Sequence, residues 1–436
     1  MRRLSALIAC LLAGVAGCSC GCDRKASPDA FVLEARVMDA GAPDSGGDLG
    51  IGPDLVLDVL KPDLGPLPDS CGGSRTLSPQ PVAPYAGKPC GKGCKQVTFG
   101  NFVEKEYEVV GDLLVYVGEA PAGFGAGFKV YLVDLKTGNE VMLQDYSKKF
   151  SGCSLVSTDG QKLAYTCVRE RQLDLWPEWD RSLTVFDPKT SIETDVFCIR
   201  EKLASNGCDP DYLTLGGTGI VVNGTLGACK HFTALFYRFS DGSFTNIAQK
   251  KGGVWHTHMS GTEIVWTQAE LAWQASQIVL YNTRTRVKKR LAPNDGADQY
   301  LPRTDGTHVV WTDHRNGPGG RSMPGNADIY HHDLLTGKTT QVTTDPGTQE
   351  KPDVWGDWVV WQDWRNSPGG WSRGGQAPNC DIYAKNLKTG QEVQLTDYPK
   401  HEAYTRVDND RVFYRMVDGT KWASVFMIDL KTRLGP

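Results

Sequence analysis

The chain is predicted to be all-β, a seven-bladed β-propeller, on three observations. From about Cys90 onward, short β-branched and aromatic runs alternate with Gly, Asp and Asn, and no helical period is sustained. One unit recurs: DIYHHDLLTGKTTQVT from Asp328 returns as DIYAKNLKTGQEVQLT from Asp381, and HVVWTDHRN ending at Asn316 returns as WVVWQDWRN ending at Asn366. A third pattern runs through the whole domain. A turn Gly, once Asn, is followed five residues later by an aromatic, once Val: Gly111/Tyr116, Gly160/Tyr165, Gly217/Val222, Gly261/Trp266, Gly306/Trp311, Gly356/Trp361 and Asn409/Tyr414. The gaps between these anchors run from 44 to 57 residues, the period of a stacked supersecondary unit. Seven repeats of four short strands make a propeller.

Six blades is the alternative, and ring closure argues for seven. The last repeat stops at Pro436 before a fourth strand. Gln96-Val97-Thr98 matches Gln341-Val342-Thr343 at the same distance from the following turn Gly. An N-terminal outer strand is therefore expected beside Met427 to Asp429, removing an open sheet edge.

Ahead of the propeller, Arg2 and Arg3 precede the short apolar run Leu4 to Val15, and Val15-Ala16-Gly17-Cys18 resembles a bacterial lipobox. Residues 1–17 are read as a signal peptide too short to span a bilayer permanently. The resemblance implies that Cys18 is lipidated and that the protein is anchored in the cell envelope. Ser19, where Asp would retain it at the inner membrane, points to the outer membrane. Residues 18–89 are read as a flexible tether and 90–436 as the propeller. Between 26 and 70, nine acidic residues stand against Arg36 and Lys61, a composition that cannot bury enough apolar surface to fold alone. The whole chain carries a formal charge of −4, most of the negative charge lies in the tether, and the propeller is close to neutral. That argues against nucleic acid as a partner, which requires a basic stripe. A monomer is expected.

Thirteen cysteines suit an oxidising compartment. The expected bridges are Cys90–Cys94, Cys153–Cys167 and Cys198–Cys208, with one thiol of an odd set left over.

The phrase Ser157-Thr158-Asp159-Gly160-Gln161-Lys162-Leu163-Ala164-Tyr165, with W-x-D-x-R-N and D-I-Y-x-x-D-L-x-T-G, resembles the TolB-like propeller repeats. That resemblance covers roughly 96–436. It implies a fold and an extracytoplasmic setting but no activity, because propellers host many functions.

Function is expected on the face carrying the variable b–c and d–a loops. Candidate ligand-binding residues there are Trp176, Trp179, Trp273, Arg321, Trp371 and Arg373, since Trp beside Arg suits sugar stacking or a protein hot spot. The alternative is that these Trp merely pin long loops. Asp313-His314-Arg315-Asn316 and its repeat Asp363-Trp364-Arg365-Asn366 invite a catalytic or calcium reading, but recurrence in adjacent blades favours a structural one: Asp accepting from loop amides, Arg pairing locally. His256 and His258 lie two apart on a strand and so on one face, a metal candidate for zinc or manganese. Oligogalacturonate lyases, propellers with a histidine-bound metal, make that the leading enzyme alternative. No nucleophile elbow, H-E-x-x-H or P-loop is present. With no converging polar set, the chain reads as a non-catalytic module binding an envelope protein or glycan, and no cofactor is expected. The alternatives are a metal-assisted, lyase-like enzyme on polysaccharide and a scaffold with an energised-transport partner.

Overall fold

The computed structural model describes residues 74–77, 79–81, 90, 92–98, 106–119, 128–143, 150–172, 177–201, 210–224, 232–271, 275–291, 296–317, 326–367, 379–398, 401–418 and 421–435. These form seven antiparallel sheets arranged as a β-propeller, and the only helix among them is Leu430–Leu434. Each sheet is a meander, with strands a to d running from the channel outward. Blades 1 to 7 span 106–143, 150–201, 210–250, 253–290, 299–341, 349–394 and 402–429.

The ring closes as expected. Blade 7 takes Cys94–Gln96 as its outer strand, with Cys94 opposite Ile428, Lys95 opposite Met427 and Gln96 opposite Phe426. Where a fourth strand would start, the chain turns into Leu430–Leu434. Asp429 caps that helix by accepting from Thr432 N, and Gly435 ends it.

Two strands lie before residue 90. Ser74–Thr76 adds a fifth strand to blade 2 and Gln80–Pro81 a fifth to blade 1. Between them, Leu77 is 6% exposed and packs into the core shared by those two blades. This lead-in covers the edges of three neighbouring blades before the chain enters the first one. The segment 1–73, with the lipobox and most of the expected tether, lies outside the described residues.

Seven apolar clusters hold the ring, one in each gap between neighbouring blades. All seven anchor positions are core: Tyr116, Trp266, Trp311, Trp361 and Tyr414 are 0% exposed, and Tyr165 and Val222 are 3% exposed. Six of the seven turn residues are left-handed, among them Gly306 at φ 94° and Asn409 at φ 56°; Gly217 is not. Asn tolerates this left-handed region better than most side-chain-bearing residues.

The repeated W-x-D-x-R-N phrase is a structural clasp. The Asp313 carboxylate accepts from Trp311 Nε1 (2.9 Å), from Arg315 N (3.0 Å) and from the Arg315 guanidinium (2.7 Å). Arg315 lies over the Tyr330 ring at 4.2 Å, and Asn316 Nδ2 donates to Asp328. Blade 6 repeats every contact with Trp361, Asp363, Arg365, Tyr383, Asn366 and Asp381. The aspartate oxygens are thereby engaged by protein donors, which opposes the calcium reading.

Cys90–Cys94 and Cys153–Cys167 are disulfides, the latter between directly opposed residues of adjacent strands. Cys380 is free and buried. Cys208, and the side chain of Cys198, lie outside the described residues.

Candidate functional site: the channel mouth

The site is built by an irregularity in strand a. In blades 4 to 7, two residues of strand a stand opposite the single anchor aromatic of strand b: 256–257 opposite Trp266, 301–302 opposite Trp311, 351–352 opposite Trp361 and 404–405 opposite Tyr414. The first residue of each bulge is left-handed: His256 (φ 52°), Leu301 (φ 54°), Lys351 (φ 51°) and Tyr404 (φ 57°). Such a conformation costs about 1–3 kcal/mol for a bulky residue and is held only where the surroundings over-determine it. The bulge recurs, but the residue placed on it changes from blade to blade.

These four residues face a cavity of about 480 Å³ at the channel end remote from the tight a–b turns. Glu106 and Tyr212 occupy the equivalent positions, five residues before the turn anchor, in blades 1 and 3. Two residues deeper lies a second tier: Glu108, Ser157, Thr214, His258, Arg303, Asp353 and Arg406. Beyond that tier is a separate chamber of about 240 Å³ on the turn side.

The second tier makes a charged floor. Glu108 accepts from Arg303 Nη1 and Arg406 Nε, both at 3.1 Å, and the two cations hold its carboxyl down at about 2, against burial. Three other members tie neighbouring blades together. Leu215 N donates to Ser157 Oγ (2.9 Å), Thr304 N to His258 Nδ1 (3.2 Å) and Val407 N to Asp353 Oδ2 (2.9 Å). Burial pushes Asp353 up to about 6.

Above the floor, Arg406 lies near the Tyr107 ring (5.6 Å), and Tyr107 OH donates to Tyr404 O. Burial, and then the charges of Lys351 and Arg303, push His256 down to about 4, so its imidazole is neutral at pH 7.

His256 and His258 do not share a face as alternation implied, because the bulge between Trp255 and His258 intervenes. His256 lines the mouth, packs edge-on to Tyr212 at 5.0 Å and approaches Thr267 Oγ1. His258 lines the turn-side chamber. Among the described residues no three His, Cys, Asp or Glu side chains converge as a metal requires, so within them this pair finds no further ligand.

Of the loop candidates, Trp176, Trp273, Arg321, Trp371 and Arg373 lie outside the described residues. Trp179 falls in the strand Pro177–Asp187, opposite Glu170 and Glu201, and its side chain is outside the description. The mouth residues other than His256 were not singled out from sequence. The turn anchors carried the signal: counting back five and three residues from each reads off both tiers.

Fold and site together define a seven-bladed propeller with a charged cup at one end of its channel. No family model and no curated protein matches the chain. Solved structures do match. An oligogalacturonate lyase in complex with manganese is 15% identical, with a TM-score of 0.51, over 82% of this chain and 98% of that one. The β-propeller domain of the Trilobed protease from Pyrococcus furiosus is 13% identical, with a TM-score of 0.51, over 76% of this chain and 95% of that one. TolB from Acinetobacter baumannii also matches, at 16% identity over 73% of this chain and 79% of that one, with a TM-score of 0.37 that carries no argument. At such identities the likeness is one of fold. No helix among the described residues is long and apolar enough to cross a membrane.

Proposed function

We propose that the chain is a lipid-anchored protein of the bacterial cell envelope whose propeller binds a protein or glycan without catalysis, with the channel mouth at the centre of the binding face. The carrying observation is the mouth itself: a cup of about 480 Å³ in which a constant bulge presents a different side chain from each of four successive blades. Such a cup, with few convergent polar groups, is the default form of a ligand site. The main carboxylate in it, Glu108, is held by two arginines, which suits a rigid recognition floor better than a free base. The test is binding of envelope glycans and peptides to the full chain and to Tyr212→Ala and Leu301→Asp. Loss of binding with an unchanged melting temperature supports the role; equal binding by both variants removes the mouth from it. For the anchor, Cys18→Ala is expected to abolish palmitate labelling and release the protein from membranes.

A second, lyase-like reading is favoured by one observation. His256 is neutral at pH 7 and stands near Lys351 and Arg303. A neutral base beside cations is what proton abstraction next to a sugar carboxylate requires. Unsaturated products from acidic polysaccharide, lost in His256→Ala, would replace the non-catalytic reading with this one.

A further inference from the structure

We propose that the rim of the turn face over blades 4 and 5 is a docking surface for a membrane bearing anionic lipid, with Leu335 and Val287 as apolar tips among cations. This surface lies on the face opposite the mouth and does not depend on what the mouth binds.

The c–d turns stand on the same side as the a–b turns, because each is bonded to the a–b turn of its own blade. Thr283 N donates to Thr262 O, Leu334 N to Thr307 O and Leu387 N to Asp357 O, at 2.7–2.9 Å. Two places after the Asp or Asn that opens the turn stands an exposed residue. It is Lys136, Lys189, Arg284, Lys388 and Lys431 in blades 1, 2, 4, 6 and 7. In blade 5 it is Leu335, 92% exposed. Its neighbour Leu334 already packs against the core between blades 4 and 5.

Blade 4 departs from the pattern in a second way. Four other blades place Gly at the left-handed position of this turn: Gly138, Gly242, Gly337 and Gly390, at φ 66–76°. Blade 4 places Arg286 there, at φ 61°, a conformation that is open to glycine and strained for a residue with a Cβ. Val287 follows it, 58% exposed. Leu335 and Val287 are the two most exposed large apolar side chains among the described residues. Packing within the fold accounts for neither them nor the strained arginine, and such local departures collect at functional surfaces.

The stretch from Arg284 to Arg290 holds five cations and no acid. Two of the five are used within the fold: Lys288 donates to Ile247 O, and Arg290 pairs with Glu270, which also holds Lys250. Arg284, Arg286, Lys289 and, in blade 5, Lys338 are exposed and make no ion pair among the described residues. The acids around them are engaged. Asp333 accepts from Leu335 N and Thr336 N, Glu263 from Asn282 Nδ2, and Asp305 from His308 N and Gly356 N. Asp241, on blade 3, accepts from Ser243 N and pairs with Arg238. Asp357 is exposed on the a–b turn of blade 6. Asp241 and Asp357 therefore flank the positive region and confine it to blades 4 and 5.

An anionic bilayer uses both kinds of residue. The apolar tips enter the headgroup boundary while the cations meet lipid phosphate. A soluble polyanion such as nucleic acid would meet the cations and leave Leu335 in water. Docking through this rim turns the mouth away from the bilayer.

The test is lysine acetylation footprinting of the full chain on vesicles of phosphatidylcholine, alone or mixed with phosphatidylglycerol. Lys289 and Lys338 are expected to be protected on the anionic vesicles only. Lys351, in the mouth with its ammonium 4.4 Å from the centre of the Tyr404 ring, should keep its reactivity. Protection that is absent, equal on neutral vesicles or shared by Lys351 overturns the proposal. Vesicle partition is then compared among variants in one Cys18→Ala background, where no acyl chain holds the protein and the contribution of the signal segment cancels. Arg286→Gly and Lys338→Gln should each weaken partition to anionic vesicles about five-fold, the worth of one cation near such a surface. Leu335→Ser should weaken it with every cation in place. Arg286→Gly installs the residue that four blades carry, so its loss of binding cannot be a loss of folding. Unchanged partition in Arg286→Gly and Leu335→Ser overturns the proposal. Binding of duplex DNA that Leu335→Ser leaves intact, with no protection by vesicles, makes the patch a polyanion site and overturns the membrane.

Discussion

Glu402 is a buried acid in the wrong charge state for pH 7, and replacing it by Gln should stabilise the protein. The residue is 0% exposed. One carboxyl oxygen accepts from Thr396 Oγ1 at 3.2 Å and the other has no hydrogen-bond partner. Burial, then the negative charge of Asp381, pushes its pKa from 4.5 up to about 9. Blades 5 and 6 carry Gln299 and Gln349 at the same position, seven residues before the turn anchor. Between pH 4.5 and 9 the folded state holds a proton that the unfolded state has lost, so stability falls as pH rises through that window. At pH 7 the cost of protonation is about 3 kcal/mol, at about 1.4 kcal/mol per pH unit. Glu402→Gln removes it. The assay is denaturant unfolding of both proteins from pH 4.5 to 8.5. The variant's advantage should grow by about 1.4 kcal/mol per unit. How well the amide fits shifts the whole curve by a constant and leaves that slope alone. A difference that stays flat with pH would refute the reasoning and show that Glu402 ionises freely.

Three further outcomes are expected. Glu108→Gln leaves Arg303 and Arg406 without their shared counter-charge and should cost about 3 kcal/mol in chemical denaturation. Because the Glu108 pKa is held at about 2, the wild type should lose this increment as pH falls from 4.5 toward 2, and the variant should have none to lose. Leu77→Ala should cost about 2–3 kcal/mol in the same assay, which a residue in a free tether would not. Non-reducing peptide mapping should recover Cys90–Cys94 and Cys153–Cys167. Removing the second pair should cost about 3 kcal/mol, and Cys380, 0% exposed, should alkylate only in denaturant.

Much of the architecture was legible because a blade cannot bury its own faces. Each repeat must therefore carry the same large residue to the same gap, and Trp266, Trp311 and Trp361 do so at 0% exposure. The clasp in W-x-D-x-R-N was legible for the same reason, since a phrase that recurs in adjacent blades serves the blade. The strands on the outer edges of blades 1 and 2 were not legible. At two and three residues, Gln80–Pro81 and Ser74–Thr76 are too short to show a period. The loop Trp and Arg candidates lie outside the described residues or have undescribed side chains, and the cavity that is described belongs to strand a. The shared face expected of His256 and His258 assumed regular alternation, which one inserted residue cancels.

The order of residues along the chain settles how many blades there are, how the ring closes and which side chains fill the gaps, because those depend on patterns repeated every few dozen positions. It does not say that Glu108 meets Arg303 and Arg406, that Lys351 stands over Tyr404, or that His256 and His258 look into different chambers. The partners in the first two cases are contributed by separate blades, the two histidines are parted by a bulge within one strand, and nothing local distinguishes any of them from other strand residues. Closing the ring brings seven innermost strands around one axis, and the bulges then choose which side chain each presents. The chemistry of the cup arises from that convergence.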